Sequence, residues 1–362
     1  MVVKVFVVDD SAVVRQALAH MLAGNPDVEL IGSAPNPLLA MEMIRKNPPD
    51  VLLLDIEMPG MDGLTFLRQI MSGTPIPTVI CSTLSTEGSK VALDALSAGA
   101  VAVLAKPRLG LKQHMEDSRH EMIQTLKTAA RSRPRPRVAS NLIAARAIPT
   151  RATASNVINN RPQALAGVHA LAMNKPVVIG SSTGGTQALE LVLTSLPADA
   201  PGIAITQHMP EKFTAMYAER LNGLCAMNVR EAKDGDRLER GVALIAPGGR
   251  HMQLMKLNGQ YHVKVLDGPP VNRHKPSVDV LFKSAAECAR GDALGIIMTG
   301  MGDDGARGMK TMHDQGARTI AQNEETCVVF GMPKEAIKLQ AVDEILPLES
   351  LARAILAFDS RA

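Results

Sequence analysis

Short apolar runs alternate with amphipathic segments along most of the 362 residues of the chain. In the first 107 residues, the apolar runs predict five strands, at positions 4–8, 28–32, 51–54, 78–81 and 101–105. Between them, apolar residues recur at helical spacing, and the clearest predicted helices cover 11–22 and 38–46. Because strands that alternate with helices pair in parallel through right-handed crossovers, this region is predicted to be an α/β domain with a five-stranded parallel, flavodoxin-like sheet.

A second alternation of this kind begins near residue 175. Apolar runs predict strands at 177–179, 203–206, 242–245 and 294–299, with further strands near 318–321 and 327–329. Two neighbouring segments, 252–257 and 259–265, are predicted to form a hairpin. The second half is therefore predicted to be a doubly wound α/β domain with a mostly parallel sheet. The predicted boundaries are 1–125 for the first domain, 126–172 for a linker and 173–362 for the second domain.

The segment between the two predicted domains is strongly basic. It contains no Asp or Glu between positions 131 and 161, and it carries seven arginines: Arg131, Arg133, Arg135, Arg137, Arg146, Arg151 and Arg161. Removing these seven charges from the formal net charge of +3 leaves −4 for the rest of the chain. Its polar composition predicts a flexible linker, because such a segment buries too little apolar surface to order itself. A solvated spacer and an electrostatic contact with an acidic partner both remain open.

Composition narrows the class of protein. Apolar residues make up 46% of the chain but aromatic residues only 2%, so the cores are predicted to consist of aliphatic side chains and Met. The four cysteines form no CxxC pair, which favours reduced thiols in a cytosolic protein. No apolar run reaches the length of a membrane span, and the N-terminus is a predicted strand rather than a signal peptide. These features predict a cytoplasmic protein.

Charged residues stand at the carboxyl ends of the first-domain strands, where ligands bind in parallel sheets. The carboxylates are Asp9 and Asp10 after the first strand and Asp55 after the third. Three carboxylates at one sheet edge repel one another unless a cation joins them, and Mg²⁺ suits such oxygen ligands. Lys106 adds a positive charge at the fifth strand, and Ser82 or Thr83 adds a hydroxyl at the fourth. Each Asp alone fits a turn or a helix cap, but together they predict a site for a phosphoryl group carried on an aspartate.

The second half contains a candidate nucleophile. Gly180-x-Ser182-x-Gly184 ends an apolar run and opens a predicted helix, which matches the nucleophile-elbow pattern. The same residues also fit an ordinary glycine-rich turn. A serine nucleophile needs a base and an orienting carboxylate, and His208 and the pair Asp303-Asp304 each follow a strand that ends at the same predicted sheet edge.

A rival pattern overlaps this candidate acid. Gly300-x-Gly302-x-x-Gly305 follows a strand, with Glu324 about twenty residues further on, as in dinucleotide-binding folds. Two carboxylates in that turn would repel a pyrophosphate, which argues against a nucleotide. We instead expect the acidic turn to hold a carboxylate by backbone amides and to direct it at His208.

The first domain resembles a two-component receiver domain. The stretches that carry the resemblance are 8–11, 55–63 and 106–107, within the first 107 to 125 residues. The resemblance implies that a histidine kinase phosphorylates Asp55, with Mg²⁺ bound by three carboxylates and one carbonyl: Asp9, Asp10, Asp55 and the carbonyl of Glu57. It further implies that Ser82 and Lys106 sense the phosphoryl group and that the Lys106–Pro107 bond is cis.

The second domain resembles the CheB family, the protein-glutamate methylesterases of bacterial chemotaxis. The matching stretches are 180–185, 206–210, 246–251, 274–282, 299–305 and 330–333. The resemblance places the nucleophile, base and orienting acid on Ser182, His208 and Asp304. Many relatives carry Asn before the acid, where this chain has Asp303. The order of serine, histidine and acid also differs from that of α/β-hydrolases.

The resemblance implies a phosphorylation-activated enzyme that hydrolyses glutamate γ-methyl esters on chemotaxis receptors and deamidates specific glutamines there. Hydrolysis by this route needs no cofactor. Backbone N–H groups of Thr183 and Met301 are the candidate oxyanion donors. The implied partners are the chemotaxis histidine kinase and the receptors, without nucleic acid or membrane insertion. An alternative is a phosphorylation-controlled binding module that lacks esterase activity, with the basic linker as its contact to a partner.

Overall fold

The computed structural model describes residues 2–58, 62–82, 86–106, 112–132 and 175–360. They form two α/β units, one on each side of the basic segment. Most of the predicted linker lies outside the described residues, as do Thr83 and Pro107, so the expectations for them stay predictions. Among the described helices, none combines the length and apolar character needed to cross a membrane.

The first unit is the predicted five-stranded parallel sheet, with strand order β2-β1-β3-β4-β5. Its strands are β1 Val3–Val8, β2 Val28–Ala34, β3 Val51–Asp55, β4 Thr78–Ser82 and β5 Ala102–Ala105. All five residues of β3 are buried, because this strand is central and helices cover both faces of the sheet. Asp55 therefore ends a buried strand at the middle of the carboxyl edge.

Five helices surround this sheet: α1 Ala12–Leu22, α2 Pro37–Lys46, α3 Gly63–Ser72, α4 Thr86–Ala98 and α5 Lys112–Ala130. Ser11, Asn36 and Asp62 cap the first three by accepting a backbone N–H bond, which satisfies donors that a helix start leaves free. Helix α5 continues past the predicted boundary at residue 125, because Leu126 and Ala129 are buried in the core.

The second unit is built on a seven-stranded sheet in which every strand pair is parallel, with order β14-β13-β12-β6-β7-β9-β8. A separate antiparallel hairpin joins β10 to β11 as predicted. In chain order the strands are β6 Val177–Ser181, β7 Ile203–Gln207, β8 Asn228–Glu231, β9 Val242–Ile245, β10 His251–Leu257, β11 Gln260–Leu266, β12 Leu294–Ile297, β13 Arg318–Gln322 and β14 Glu344–Leu346.

Two details of this sheet differ from the prediction. The apolar run at 327–329 is not a strand, and its neighbour Phe330 makes only one isolated bridge, to Gly300. The edge strands β8 and β14 went unpredicted because they are short and carry polar residues that give no clear apolar run. Neither difference alters the central strands.

The direction of strand winding reverses at β6, which lies between β7 and β12. In doubly wound sheets such a reversal opens a crevice at the carboxyl edge, where ligands bind. The helices that flank the sheet are α6 Gly185–Thr194, α7 Glu211–Leu224, α8 Val278–Ala289, α9 Ala306–Asp314, α10 Met332–Lys338 and α11 Leu351–Asp359. Ser182 directly follows β6 and therefore lies at this crevice.

The two units contact each other through helices α4 and α5. The Asp94 carboxylate of α4 lies 3.0 Å from the Arg220 guanidinium of α7, and Gln187 of α6 donates a hydrogen bond to the Leu96 carbonyl. The Thr128 hydroxyl of α5 contacts the Met301 sulfur, in the loop after β12. The first unit thus reaches a loop at the carboxyl edge of the second sheet.

Candidate active site and phosphorylation site

Ser182 is held at the end of β6 by its own backbone. Its N–H donates to the Thr299 carbonyl at 3.0 Å, and its carbonyl accepts the Gly185 N–H at 2.8 Å. Gly184 has a φ of 77°, a left-handed conformation that glycine adopts without strain, and it begins helix α6. This sharp strand-to-helix turn leaves Ser182 half-buried at the switch point, as the nucleophile-elbow pattern predicts.

His208 follows the neighbouring strand β7 and lies beside Ser182. Ser181 and Gln207 are register partners, and the His208 N–H donates to the Ser181 carbonyl at 3.1 Å. Nε2 of His208 lies 2.8 Å from Oδ2 of Asp304. Because an ionised carboxylate only accepts hydrogen bonds, Nε2 carries the proton and Nδ1 keeps a free lone pair. Nδ1 is buried and has no hydrogen-bond partner among the described residues, so it is available as a base.

Asp304 is a buried carboxylate with many hydrogen-bond donors. Besides His208, it accepts from Asn272 Nδ2 at 2.8 Å, Ser277 Oγ at 2.8 Å and the Val278 N–H at 2.7 Å. Burial by itself would raise the pKa of Asp304, but the hydrogen bond and charge of His208 outweigh it, with help from Asn272 and Ser277. The pKa therefore lies well below its ordinary value, and the carboxylate stays ionised.

The helix that stabilises Asp304 is not the one expected from the sequence. The acidic turn opens α9, yet the Asp304 carboxylate accepts the first N–H of α8, from Val278. It thus caps the positive end of a helix on a different part of the chain. Backbone amides hold this carboxylate as expected, but they belong to α8, which packs against α9 at the end of β6.

Asp303 has a different environment. Its side chain is 44% exposed and lies 3.6 Å from the Arg307 guanidinium, one turn along α9. Asp304, whose side chain is fully buried, is the carboxylate that contacts His208. The glycines around this pair have packing roles, since a Cβ at Gly300 would collide with Met332 and Ser182, and one at Gly305 with Val278. These contacts account for two of the three glycines that resemble a dinucleotide-binding pattern, and the third, Gly302, has a φ of 83°, in the left-handed region that favours glycine.

The predicted oxyanion donors are the residue that follows Ser182 and a residue of the loop after β12. Within the described part of the structure, no acceptor is recorded for the backbone N–H of Thr183 or Met301. The Thr183 carbonyl accepts a hydrogen bond from the Thr299 hydroxyl at 2.9 Å, which fixes this peptide beside β12. Both amides are therefore free to bind an oxyanion, and their role stays a prediction.

Several residues of this site were not predicted from the sequence. Gln207 is buried, and its side-chain amide donates to the carbonyls of Ser182 at 2.9 Å and His208 at 3.1 Å. Asn272, Ser277 and Asp279 surround Asp304 from one short segment, and Asp279 also accepts the Gly308 N–H at 2.7 Å. Gln207 could have been found from the sequence, because it ends a strand directly before a candidate base. Asn272, Ser277 and Asp279 can be recognised only in the folded segment.

Two further histidines, His251 and His274, lie near this site in different positions. The His274 ring stacks on the His208 ring, with centroids 3.8 Å apart and 9° between the planes. His251 is buried, where its Nδ1 accepts the Ser277 N–H at 3.2 Å and its Nε2 lies 3.0 Å from the Pro269 carbonyl. His251 thus supports the entry to α8, whereas His274 contacts the candidate base directly.

The predicted phosphorylation site is also assembled at a sheet edge. Ligand oxygens of Asp9, Asp10 and Asp55 all lie within 4.8 Å of one another. Lys106 Nζ lies 2.7 Å from Asp55 Oδ2 and 3.1 Å from Asp9 Oδ2. Burial raises the pKa of Asp55, although Lys106 acts in the opposite direction. One ammonium group faces three carboxylates here, which leaves an excess of negative charge.

A hard divalent cation suits this cluster. Asp9 Oδ2 is buried and has Lys106 Nζ, at 3.1 Å, as its one partner within the described residues, which leaves lone pairs that a metal could use. The Glu57 N–H donates to Asp55 Oδ1 at 3.1 Å, while metal binding by the Glu57 carbonyl stays a prediction. Ser82 ends the strand beside Asp55, and its carbonyl accepts the Lys106 N–H at 2.9 Å. The residues present fit Mg²⁺.

Comparisons with known proteins agree with this architecture. The profile of the CheB methylesterase family matches residues 177–355, and that of the response regulator receiver domain matches residues 5–114. The crystal structure of the Thermotoga maritima CheB methylesterase catalytic domain is similar, with a TM-score of 0.50 and 37% identity, and the match covers 51% of this chain and 98% of that one.

Two curated relatives match over nearly the whole chain. Protein-glutamate methylesterase/protein-glutamine glutaminase 2 from Xanthomonas campestris pv. campestris is 58% identical over 352 residues, which is 97% of this chain and 99% of that protein. The protein of the same name from Dechloromonas aromatica is 54% identical over 356 residues, which is 98% of each. The chain therefore belongs to the CheB family of receiver-linked methylesterases.

Proposed function

We propose that this protein hydrolyses glutamate γ-methyl esters, and deamidates specific glutamines, on chemotaxis receptors through Ser182, His208 and Asp304. The family is that of protein-glutamate methylesterases/protein-glutamine glutaminases. The observation that carries the residue assignment is the contact of 2.8 Å between His208 and Asp304, which leaves the buried Nδ1 of His208 without a hydrogen-bond partner among the described residues, at the end of the strand next to that of Ser182. This is the base and orienting acid that a serine nucleophile requires.

The reaction is an acyl transfer in two halves. Nδ1 of His208 takes the proton as Ser182 Oγ attacks the side-chain carbonyl, and the negative charge moves to the carbonyl oxygen. Thr183 and Met301 N–H groups stabilise this oxyanion, and one such donor is worth about 3 kcal/mol. His208 returns the proton to the leaving methanol or ammonia. Water then attacks the acyl-enzyme by the same route and releases glutamate, so hydrolysis proceeds on the protein's own groups.

The receiver domain controls this activity through Asp55. A phosphohistidine of the kinase is the proposed donor, and the Asp55 carboxylate accepts the phosphoryl group. Mg²⁺, held by Asp9, Asp10, Asp55 and the Glu57 carbonyl, would neutralise charge on that group when bound. Lys106 already contacts Asp55 at 2.7 Å, and Ser82 ends the adjacent strand, so both are placed to respond to the phosphoryl oxygens.

Packing of the receiver over the carboxyl edge explains why phosphorylation matters. Helix α5 contacts Met301, one of the proposed oxyanion donors, and Val328 beside the Ser182 loop packs against the receiver core. A receptor helix needs open access to Ser182. To change the molecule from mostly closed to mostly open, phosphorylation must shift the free-energy difference between the two arrangements by about 5 kcal/mol. We infer that phosphorylation weakens this packing.

The alternative of a binding module without esterase activity is set aside. Relatives that match over 97% of the chain are named as methylesterases. A binding module would also have no use for an imidazole that is held at Nε2 by an ionised carboxylate and keeps Nδ1 free. The basic segment lies mostly outside the described residues and carries no argument for nucleic acid.

Replacement of the nucleophile tests the assignment. Ser182→Ala is expected to abolish methanol release from a methylated receptor, because it removes the oxygen that attacks the ester carbonyl. Phosphorylation of Asp55 by a phosphodonor should be unchanged. Ser195→Ala, at the exposed C-terminal end of α6, is the matched control and should keep wild-type turnover. Methanol release by Ser182→Ala at the wild-type rate would refute the assignment.

A further inference from the structure

His274 reaches His208 from a short segment that precedes helix α8. Val271 and His274 exchange backbone hydrogen bonds, at 3.0 Å and 2.9 Å, and so close a tight turn. The two residues between them, Asn272 and Arg273, have φ values of 50° and 67°, which the paired backbone of the turn imposes. The same turn therefore delivers Asn272 to Asp304 and His274 to His208.

The base has one degree of freedom that Asp304 controls only in part. Nε2 of an imidazole lies closer to the line of the Cβ–Cγ bond than Nδ1 does, so a hydrogen bond at Nε2 restrains rotation of the ring about that bond less tightly than it restrains the position of Nε2. This torsion is broad in histidine. Nδ1 lies off the line and moves when the ring rotates. A flat group packed against the ring face is what fixes the plane, and the His274 ring lies 3.8 Å away and within 9° of parallel.

We propose that His274 is a positioning residue, whose stacked ring holds the plane of His208 so that Nδ1 stays directed at Ser182. The inference rests on the proposed roles of Ser182 and His208. His274 needs no bond to substrate in this role, and any flat aromatic ring of similar size would serve.

The charge of His274 suits the role as well. Burial, and the neighbouring His208, lower the pKa of His274 to about 4, so its ring is neutral at the pH of the cytoplasm. Ser182 attack makes His208 an imidazolium cation. A neutral ring stacked on that cation does not repel it, whereas a second cation would.

Three variants separate ring stacking from other roles. His274→Ala removes the stacked face and is expected to lower kcat for methanol release about 10- to 100-fold, the loss typical of misplaced reacting groups, with KM within about twofold of wild type. His274→Gln, a non-aromatic side chain of similar length, should behave like His274→Ala. His274→Phe restores a flat face without ring nitrogens and should return kcat to within about threefold of wild type.

A second measurement reads the nucleophile directly. The rate at which a fluorophosphonate probe labels Ser182 should fall in His274→Ala by the same factor as kcat and recover in His274→Phe. His262→Ala, in strand β11 and outside the site, is the matched control and should label like wild type. Ser182→Ala should not label at that position, and near-ultraviolet circular dichroism identifies any variant that fails to fold.

Each result bears on the proposal. Equal loss in His274→Phe and His274→Ala, in folded protein, would overturn ring stacking as the role. A raised KM with unchanged kcat would make His274 a substrate contact instead, and wild-type kcat in His274→Ala would leave it with no part in turnover. If wild type itself fails to label at Ser182, the proposed nucleophile is wrong, and the inference that depends on it is wrong too.

Discussion

At the scale of single residues, the site depends on two groups that differ in charge, the ionised carboxylate of Asp304 and the neutral ring of His274. Asp304 is fully buried yet ionised, because the cost of burying its charge is offset by donors from His208, Asn272, Ser277 and the start of α8. His274 is half-buried and neutral at neutral pH, since burial and the neighbouring His208 lower its pKa to about 4. Asp304 contacts the edge of the His208 ring at Nε2 and His274 stacks on its face, so one stabilises a positive charge on His208 and the other does not oppose it.

The neutral state of His274 predicts a pH dependence of stability. Between its ordinary pKa of 6.5 and the folded value of about 4, the unfolded chain binds a proton that the folded chain does not. Stability is therefore complete above pH 6.5 and is lost as the pH falls towards 4. His274→Phe removes this term. Between pH 7 and 4.5, the wild type should lose on the order of 2 kcal/mol more unfolding free energy than the variant.

The measurement can be confined to the catalytic domain. Both tyrosines of the chain, Tyr217 and Tyr261, lie in that domain and there is no Trp, so the tyrosine band of the near-ultraviolet circular dichroism spectrum reports on that domain during urea unfolding. The groups that set the pKa of His274 are His208, Asp304 and Arg273, and all are retained in the variant. Parallel pH profiles for wild type and His274→Phe would contradict the prediction.

At the scale of elements, the site depends on how closely β6 approaches α8. Gly180 is the fourth residue of β6, and its backbone packs directly on Val278 at the start of α8. That helix start supplies the Val278 N–H to Asp304. The absence of a side chain at Gly180 therefore sets the distance between the strand that carries Ser182 and the helix that holds the acid.

Addition of one methyl group tests this contact. In Gly180→Ala, the new Cβ would collide with Cγ1 of Val278, so we expect a loss of about 1 to 3 kcal/mol in unfolding free energy and a lower kcat. Val278→Ala in the same chain removes the colliding atoms. The double variant should be more stable than Gly180→Ala alone, and urea unfolding of the single and double variants checks this. A double variant no more stable than Gly180→Ala would show that the collision is not the cause.

At the scale of the whole molecule, two α/β units of similar plan perform different chemistry at equivalent edges. Each places carboxylates at its strand ends, where those of the receiver form the proposed cation site and one of those in the esterase contacts His208. The units meet at α4 and α5 of the receiver. In the proposed mechanism, phosphorylation controls the esterase by weakening contacts of this kind.

The ion pair between Asp94 and Arg220 is such a contact. Asp94→Ala should raise methanol release by the unphosphorylated enzyme about two- to fivefold, because partly exposed ion pairs contribute at most about 1 kcal/mol. Arg220 would keep its second partner, Glu190, at 3.5 Å. Glu239→Ala, which breaks an exposed pair within the catalytic domain, is the control and should leave basal activity unchanged. No rise in Asp94→Ala would mean that this pair does not hold the units together.

The sequence by itself determined the fold of both units and the residues at their strand ends. Alternation of apolar runs and amphipathic segments requires parallel sheets, and parallel strands bring their carboxyl ends to one edge. Asp55 with Lys106, and Ser182 with His208, could therefore be placed at common edges from spacing alone. The edge strands β8 and β14 were missed because half-exposed strands need few apolar residues.

Only the tertiary structure decided which carboxylate contacts His208 and what surrounds it. Asp303 and Asp304 are adjacent and chemically alike, and the packing of α8 against β6 selects Asp304 by surrounding it with donors. The stacking of His274 on His208 joins residues from different loops. Such contacts depend on distances between elements that are far apart in the chain, and local sequence patterns do not encode those distances.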